Sequence, residues 1–223
     1  QLQFPLKKIY NHDPIYGVSA GVMMTTDEFR QYMMSNAVRG TAFWELYFSP
    51  SLMDEEKWQV TADVLEFAQD NYHILKNAKL FGNAPKQKSV YGYSSWDKDE
   101  GIVSFRNPTN STKTYTLTLN NLVGVPTDMK DLQQSQVLPY TSDISEQKVS
   151  YGDEITVTLK PYETIIYQYG LKDDQAPSIE YVKNIDSNTI RIKFDKRVED
   201  ANKYTINGKK AVSYTHLTLP TIA

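Results

Sequence analysis

Three observations predict an α/β segment followed by an all-β remainder. Residues 4–78 alternate short apolar runs with amphipathic helical patterns. Beyond about residue 79, period-two patterns take over. The breaks between these segments carry the Pro, Gly, Asn and Asp residues that turns require. A strand with polar groups at its end, followed by a helix that packs back over it, is the repeating unit of parallel α/β folds. Chemistry in such units sits at the carboxyl end of the strand.

Leu6 to Tyr10 reads as a short strand that ends at Asn11-His12-Asp13-Pro14, where the proline removes a ladder donor. Ile15 to Met24 reads as a glycine-punctuated loop. Thr25 and Glu28 have capping-box spacing, and Phe29, Tyr32, Met33 and Ala37 form a stripe behind them. That helix is expected to stop before Gly40. Ala42 to Phe48 is a second apolar strand with Glu45 in its middle, broken by Pro50. In the long helix that follows, Trp58, Ala62, Leu65, Ala68, Tyr72 and Leu75 recur at three- and four-residue steps and predict its buried face. Residues 1–78 thus read as strand, helix, strand, helix: the last two units of a (β/α)8 barrel.

Residues 79–170 are expected to form an antiparallel β-sandwich. Its strand candidates are Val90–Trp96, Gly101–Arg106, Thr114–Leu119, Gln136–Tyr140, Ile155–Leu159 and Thr164–Tyr169. Val103, Phe105, Tyr115, Leu117, Leu119, Ile155, Val157 and Ile165 would fill its core. Residues 171–177 are a short acidic linker, and 178–211 begin a partial Ig-like or fibronectin-like β module. Val212 to Thr221 is similar to the in-frame translation of a transposase-based sequencing adapter. Residues 212–223, His216 included, are therefore expected to be adapter-derived and without a functional part. The chain opens Gln-Leu-Gln-Phe-Pro with no basic flank or apolar core segment. Both ends read as cuts in a longer protein.

Composition narrows the function. A net charge of −3 disfavours nucleic-acid binding, which needs a basic face. The absence of cysteine excludes disulfides, thiol catalysis and cysteine metal sites, and suits a secreted Gram-positive protein as well as a cytosolic one. No run is long enough to span a membrane. The three histidines show no ligand spacing, so no metal is expected, and an acidic turn at Asp97–Glu100 reads as solvated rather than as a calcium loop. No phosphate loop, dinucleotide fingerprint or nucleophile elbow is present, so no cofactor is expected.

The best candidate constellation is Asn11, His12 and Asp13 at one strand end, with Glu45 and Tyr47 on the next. Adjacent strands bring such ends within side-chain reach, and paired carboxylates can do acid/base work or hold sugar hydroxyls. The structural reading stands beside it: Asp13 caps a turn, His12 bonds backbone and Glu45 pairs with Arg39 or a neighbour. A one-residue slip would turn Glu45 toward the helices. The sixteen tyrosines also admit two readings. Trp44, Tyr47, Tyr91, Tyr93 and Trp96 suit either sugar stacking or core packing.

Tyr10-Asn11-His12-Asp13-Pro14, Arg39-Gly40-Thr41-Ala42-Phe43-Trp44-Glu45-Leu46-Tyr47, Val90-Tyr91-Gly92-Tyr93-Ser94-Ser95-Trp96 and Phe105-Arg106-Asn107-Pro108 together carry a resemblance. Over residues 4–170 the chain resembles the back half of large secreted bacterial glycoside hydrolases, in which a (β/α)8 barrel runs directly into a β-sandwich. The family it is most similar to is the endo-α-N-acetylgalactosaminidases, which cleave mucin-type O-glycans. The resemblance implies a retaining parent enzyme using two carboxylates, a carbohydrate partner and a secreted or cell-surface location. It places the catalytic pair on strands that precede these two units. No catalytic residue carries over, and Asn11, His12, Asp13, Glu45 and Tyr47 are left as subsite residues. The alternative is a non-catalytic carbohydrate-binding or adhesion protein in which the β domains are the working parts.

Overall fold

The structure, a computed structural model, describes residues 4–18, 23–83, 88–139, 145, 147–170, 179–184, 187, 190–194, 205–206 and 209–210. The expected linker at 171–177 and the tail at 212–223 lie outside the described residues. The chain divides into two compact units, and the first takes in residues 1–139 and 145–171. It is mostly β, with few helices.

Its first part is built on β1 (Tyr10–Asn11), β2 (Ile15–Tyr16), β3 (Phe43–Trp44) and β4 (Tyr47–Phe48). β1 pairs with β3 and β2 with β4, both in parallel. The expected strand at Leu6–Tyr10 is instead a 3-10 turn over Leu6–Lys8, with pairing only from Tyr10. Pro14 does not end the ladder. Tyr10 and Asn11 register with Phe43 and Trp44, and Ile15 and Tyr16 with Tyr47 and Phe48. His12, Asp13 and Pro14 therefore face only Glu45 and Leu46, an extra residue that bulges the first strand. Pairing resumes beyond the proline because Tyr47 N–H bonds Pro14 O, a carbonyl the ring leaves free.

Helix α1 (Thr26–Ala37) starts where expected. Thr25 Oγ1 accepts from Glu28 N–H while the Glu28 carboxylate accepts from Thr25 N–H. Phe29, Met33 and Ala37 are buried. Gly40 sits at φ +63°, and a Cβ there would lie 2.0 Å from Leu75 O, so the chain turns back against the next helix only because this residue is glycine. Helix α2 (Glu55–Asp70) is capped by Asp54, whose side chain accepts from Lys57 N–H. It breaks at Asn71, and a separate turn, α3 (Tyr72–Leu75), follows.

The buried face of α2 is not the expected stripe. Lys57, Val60, Thr61 and Val64 face inward, whereas Trp58 is 48% and Leu65 40% exposed. The two stripes differ by one residue, about 100° of helix rotation. Apolar residues lie on both, so periodicity alone could not choose between them. Packing against α1 chose.

Eight further strands follow in a six-stranded sheet plus a two-stranded one. These are β5 (Lys79–Gly82), β6 (Tyr91–Asp97), β7 (Glu100–Arg106), β8 (Lys113–Thr118), β9 (Leu132–Leu138), β10 (Lys148–Val149) and β11 (Glu154–Leu159), with β12 (Thr164–Tyr169) as the closing strand. The larger sheet is antiparallel in the order β10-β9-β12-β7-β6-β5, and β8 pairs with β11 alone. β5 and β10 were not anticipated. β12 has the expected bounds, while β9 runs from Leu132 to Leu138 rather than from Gln136 to Tyr140.

The six-stranded sheet is covered on both faces. One face, with Phe81, Val103, Phe105 and Ile165, closes on Leu117, Ile155, Val157 and Leu159 of the small sheet. The other, with Ile102, Leu138 and Ile166, shares a cluster with Phe29, Met33, Val60, Val64 and Ile74 of the helices. Double coverage explains why β7 and β12 read as nearly continuous apolar runs rather than alternating ones.

In the second unit, β13 (Ile179–Asn184) and β14 (Ile190–Phe194) form an antiparallel pair, as do β15 (Thr205–Ile206) and β16 (Lys209–Lys210). Among the described residues no helix is long and apolar enough to cross a membrane.

Candidate functional site

The bulge between the two halves of the parallel ladder sorts the sequence-selected residues onto two faces. Side chains alternate along a strand. Asn11 and Asp13 turn toward α1, while His12 turns away toward Glu45. His12 Nδ1 lies 2.8 Å from Glu45 Oε2, with the histidine side chain 68% and the glutamate 28% exposed. Oε2 is shielded from solvent, and no hydrogen bond of good alignment reaches it, so this is a close contact rather than an aligned bond. The His12 ring stacks on Tyr47 at 5.7 Å between centroids, and Tyr10 meets it edge-on at 5.0 Å. The Glu45 carboxylate beside Tyr47 pushes that hydroxyl above its usual range. One exposed patch thus carries a carboxylate, an imidazole and two tyrosine rings.

Asp13 belongs to a different network. Arg39 Nη1 donates to its Oδ2 at 3.1 Å, and the Tyr32 hydroxyl contacts Oδ1 at 3.4 Å while accepting from Ile15 N–H at 2.6 Å. Partial burial raises the Tyr32 pKa above its ordinary value, the neighbouring Asp13 charge adding to the rise. The side chain of Asn36, fully buried, donates to Tyr32 O at 3.1 Å, and Asn11 Nδ2 lies 3.5 Å from its Oδ1. The structure therefore brings together His12, Glu45 and Tyr47 and leaves Asp13 and Asn11 against the helix. It is Asp13, not Glu45, that pairs with Arg39.

Sequence reasoning did not single out Tyr10 or Asn36. For the α1 residues a signal existed. Tyr32 and Asn36 are four apart, which puts two polar tips on one helix face, and Arg39 follows just past the helix end. Tyr10 shares a strand face with His12 by two-residue alternation, and its ring meets His12 edge-on.

Chemically, the exposed patch offers an acceptor in Glu45, the ring nitrogens of His12, and ring faces on which a pyranose can stack. Among the described residues no group of three or more His, Cys, Asp or Glu side chains is arranged to hold a metal ion.

No protein-family model matches the chain. No curated protein matches it. Several solved structures are similar to it. A proposed alpha-galactosidase of Bacteroides fragilis NCTC 9343 has a TM-score of 0.46 and 16% identity, over 71% of this chain and 32% of its own. A proposed alpha-N-acetylgalactosaminidase of Bacillus halodurans C-125 has 0.46 and 16%, over 67% and 33%. The alpha-galactosidase I of Mortierella vinacea has 0.42 and 12%, over 66% and 36%. The chain thus spans about a third of the length of these glycoside hydrolases.

Proposed function

We propose that this chain is the carboxyl-terminal part of a secreted bacterial glycoside hydrolase acting on α-linked sugars, with O-glycans as the substrate class. In this reading residues 1–78 are the last two units of a (β/α)8 barrel, 79–170 its β-sandwich and 178–211 the start of an Ig-like module. The observation that carries it is the parallel ladder with helices on one side and the Tyr10, His12, Glu45 and Tyr47 patch on the other. A two-stranded parallel ladder is rarely stable alone, because parallel sheets are almost always extended by further strands and covered on both faces. Ladders of this kind belong to repeated strand–helix units.

The patch is then a substrate subsite: Tyr47 and Tyr10 stack on a sugar ring and Glu45 accepts from its hydroxyls. Asn11 and Asp13 support it from behind. The catalytic carboxylates lie on strands of the parent barrel that this chain does not include. In a chemical-shift titration of the 223-residue chain with galactose and with N-acetylgalactosamine, the Tyr10, His12 and Tyr47 signals should move saturably, and Glu45→Gln should weaken the response. The same chain should not hydrolyse p-nitrophenyl α-galactosides. Unmoved signals with both sugars would overturn the subsite, and hydrolysis by this chain would overturn the placement of the catalytic pair elsewhere.

A further inference from the structure

Arg106 ends β7, the strand at the centre of the six-stranded sheet. It is half-buried, and burial lowers its pKa below the ordinary arginine value. Among the described residues its hydrogen-bond partners are Tyr162 O and Thr164 Oγ1, both taken by Nη1. The other guanidinium N–H groups have no acceptor among the described residues, and no described carboxylate is paired with it. These N–H groups are not among the buried, unpaired polar atoms of the described residues, so they stay open to an external acceptor. The contrast within the molecule is direct, since Arg39, in the turn after α1, has Asp13 at 3.1 Å.

Described lysines flank Arg106 on the strands and loops beside it. β5 ends here at Gly82 and β6 begins at Tyr91, with Lys88 shortly before it. β7 leaves for β8 through residues 107–112, reaching Lys113, and β11 leaves for β12 through Lys160. The one acid in these connections, Glu163, is turned back on its own loop, where its carboxylate accepts from Lys160 N–H at 2.7 Å. The acids of these strands gather at the opposite end, at Asp97, Asp99, Glu100, Asp153 and Glu154.

Asn107 makes this end rigid. It is fully buried, donates to Ser111 O and Lys160 O at 2.8 Å each, and its Oδ1 accepts from Thr109 N–H at 3.0 Å. Both loops that flank Arg106 are thus fixed to one side chain. Tyr91 stands directly across the ladder from Arg106 and makes an edge contact with Tyr93 at 6.5 Å.

We infer that the Arg106 end of the sheet is a binding site for a carboxylate-bearing small molecule, of the uronate-sugar class, gripped by the guanidinium edge that Tyr162 and Thr164 leave free, with Tyr91 beside it. An arginine fork matches a carboxylate in shape and charge, and the ring beside it suits a pyranose. This site shares no residue with the Tyr10, His12, Glu45 and Tyr47 patch, so the two stand or fall separately.

The test is a titration of the 223-residue chain with sodium glucuronate at constant ionic strength, with glucose as the neutral control, followed by chemical shifts of Arg106 and Tyr91. The expected result is a saturable glucuronate response, none with glucose, and at least tenfold weaker binding in Arg106→Gln. Because Arg106 also braces Tyr162 and Thr164, Arg106→Lys serves as the second variant. It keeps the charge but loses the fork, and should bind several-fold more weakly while remaining folded. No saturable response, equal responses to glucose and glucuronate, or unchanged affinity in the folded Lys variant would each overturn the inference.

Discussion

Single residues in this chain hold positions that no neighbour could take over. Gly40 lies in the left-handed region against Leu75 O. Gly40→Ala should cost about 1–2 kcal/mol for the backbone conformation alone, and more for the clash, read as a lower denaturation midpoint. Asn107 serves four partners in a site closed to water. Asn107→Ala orphans several buried groups, so a loss of at least about 2 kcal/mol is expected in chemical denaturation. His73 offers a pH readout. Its Nε2 meets Glu100 at 2.9 Å, and that contact raises its pKa above the ordinary 6.5, with Asp70 O and the Asp97 charge acting in the same sense. A raised folded pKa means the contribution is complete below the unfolded value and is lost as pH rises through the folded one. Both side chains are nearly half exposed, so the effect should stay under about 1 kcal/mol. Melting temperature followed from acid to mildly alkaline pH should fall more in the wild type than in His73→Gln; parallel curves would refute the pair.

At the level of elements, α2 tests which of two adjacent stripes is the core face. Val64 is 1% exposed among the helices and the sheet, while Leu65 is 40% exposed. Val64→Ala should therefore cost about 2 kcal/mol, two methyl groups plus an unfilled cavity. Leu65→Ser should fall within about 0.5 kcal/mol of the wild type. The reverse order in equilibrium unfolding would restore the Trp58 and Leu65 face to the core. The bulge in the first strand is the other element-scale device. It sets three residues against two where His12 and Asp13 alternate to opposite sides, so one short segment supplies both an exposed contact to Glu45 and an anchor to Arg39.

In the first unit as a whole, the helices and the six-stranded sheet share one core. Ile166 is fully buried, on the helix-facing side of β12. Ile166→Ala should cost about 2–5 kcal/mol, and helical and sheet signals should be lost in the same transition. A chain that begins at residue 79 would expose Ile102, Leu138 and Ile166. It should bind a hydrophobic dye and associate, whereas the full chain should not. A soluble, monomeric 79–170 segment that left the dye dark would show the sheet to be self-sufficient.

The sequence by itself determined what depends on near neighbours. The Thr25 capping box, the stop before Gly40, the phases of β7, β11 and β12 and the core residues from Val103 to Ile165 follow from local sterics, hydrogen bonding and period. The tertiary structure decided what depends on distant partners. Pairing beyond Pro14 needed the facing strand, the inward face of α2 needed α1, and β5 needed the edge of β6. The candidate site divides the same way. Asn11, His12, Asp13, Glu45 and Tyr47 were legible as polar and aromatic groups near strand ends. Which of them meet was settled by a one-residue bulge, because strand side chains alternate and one added residue reverses every later side.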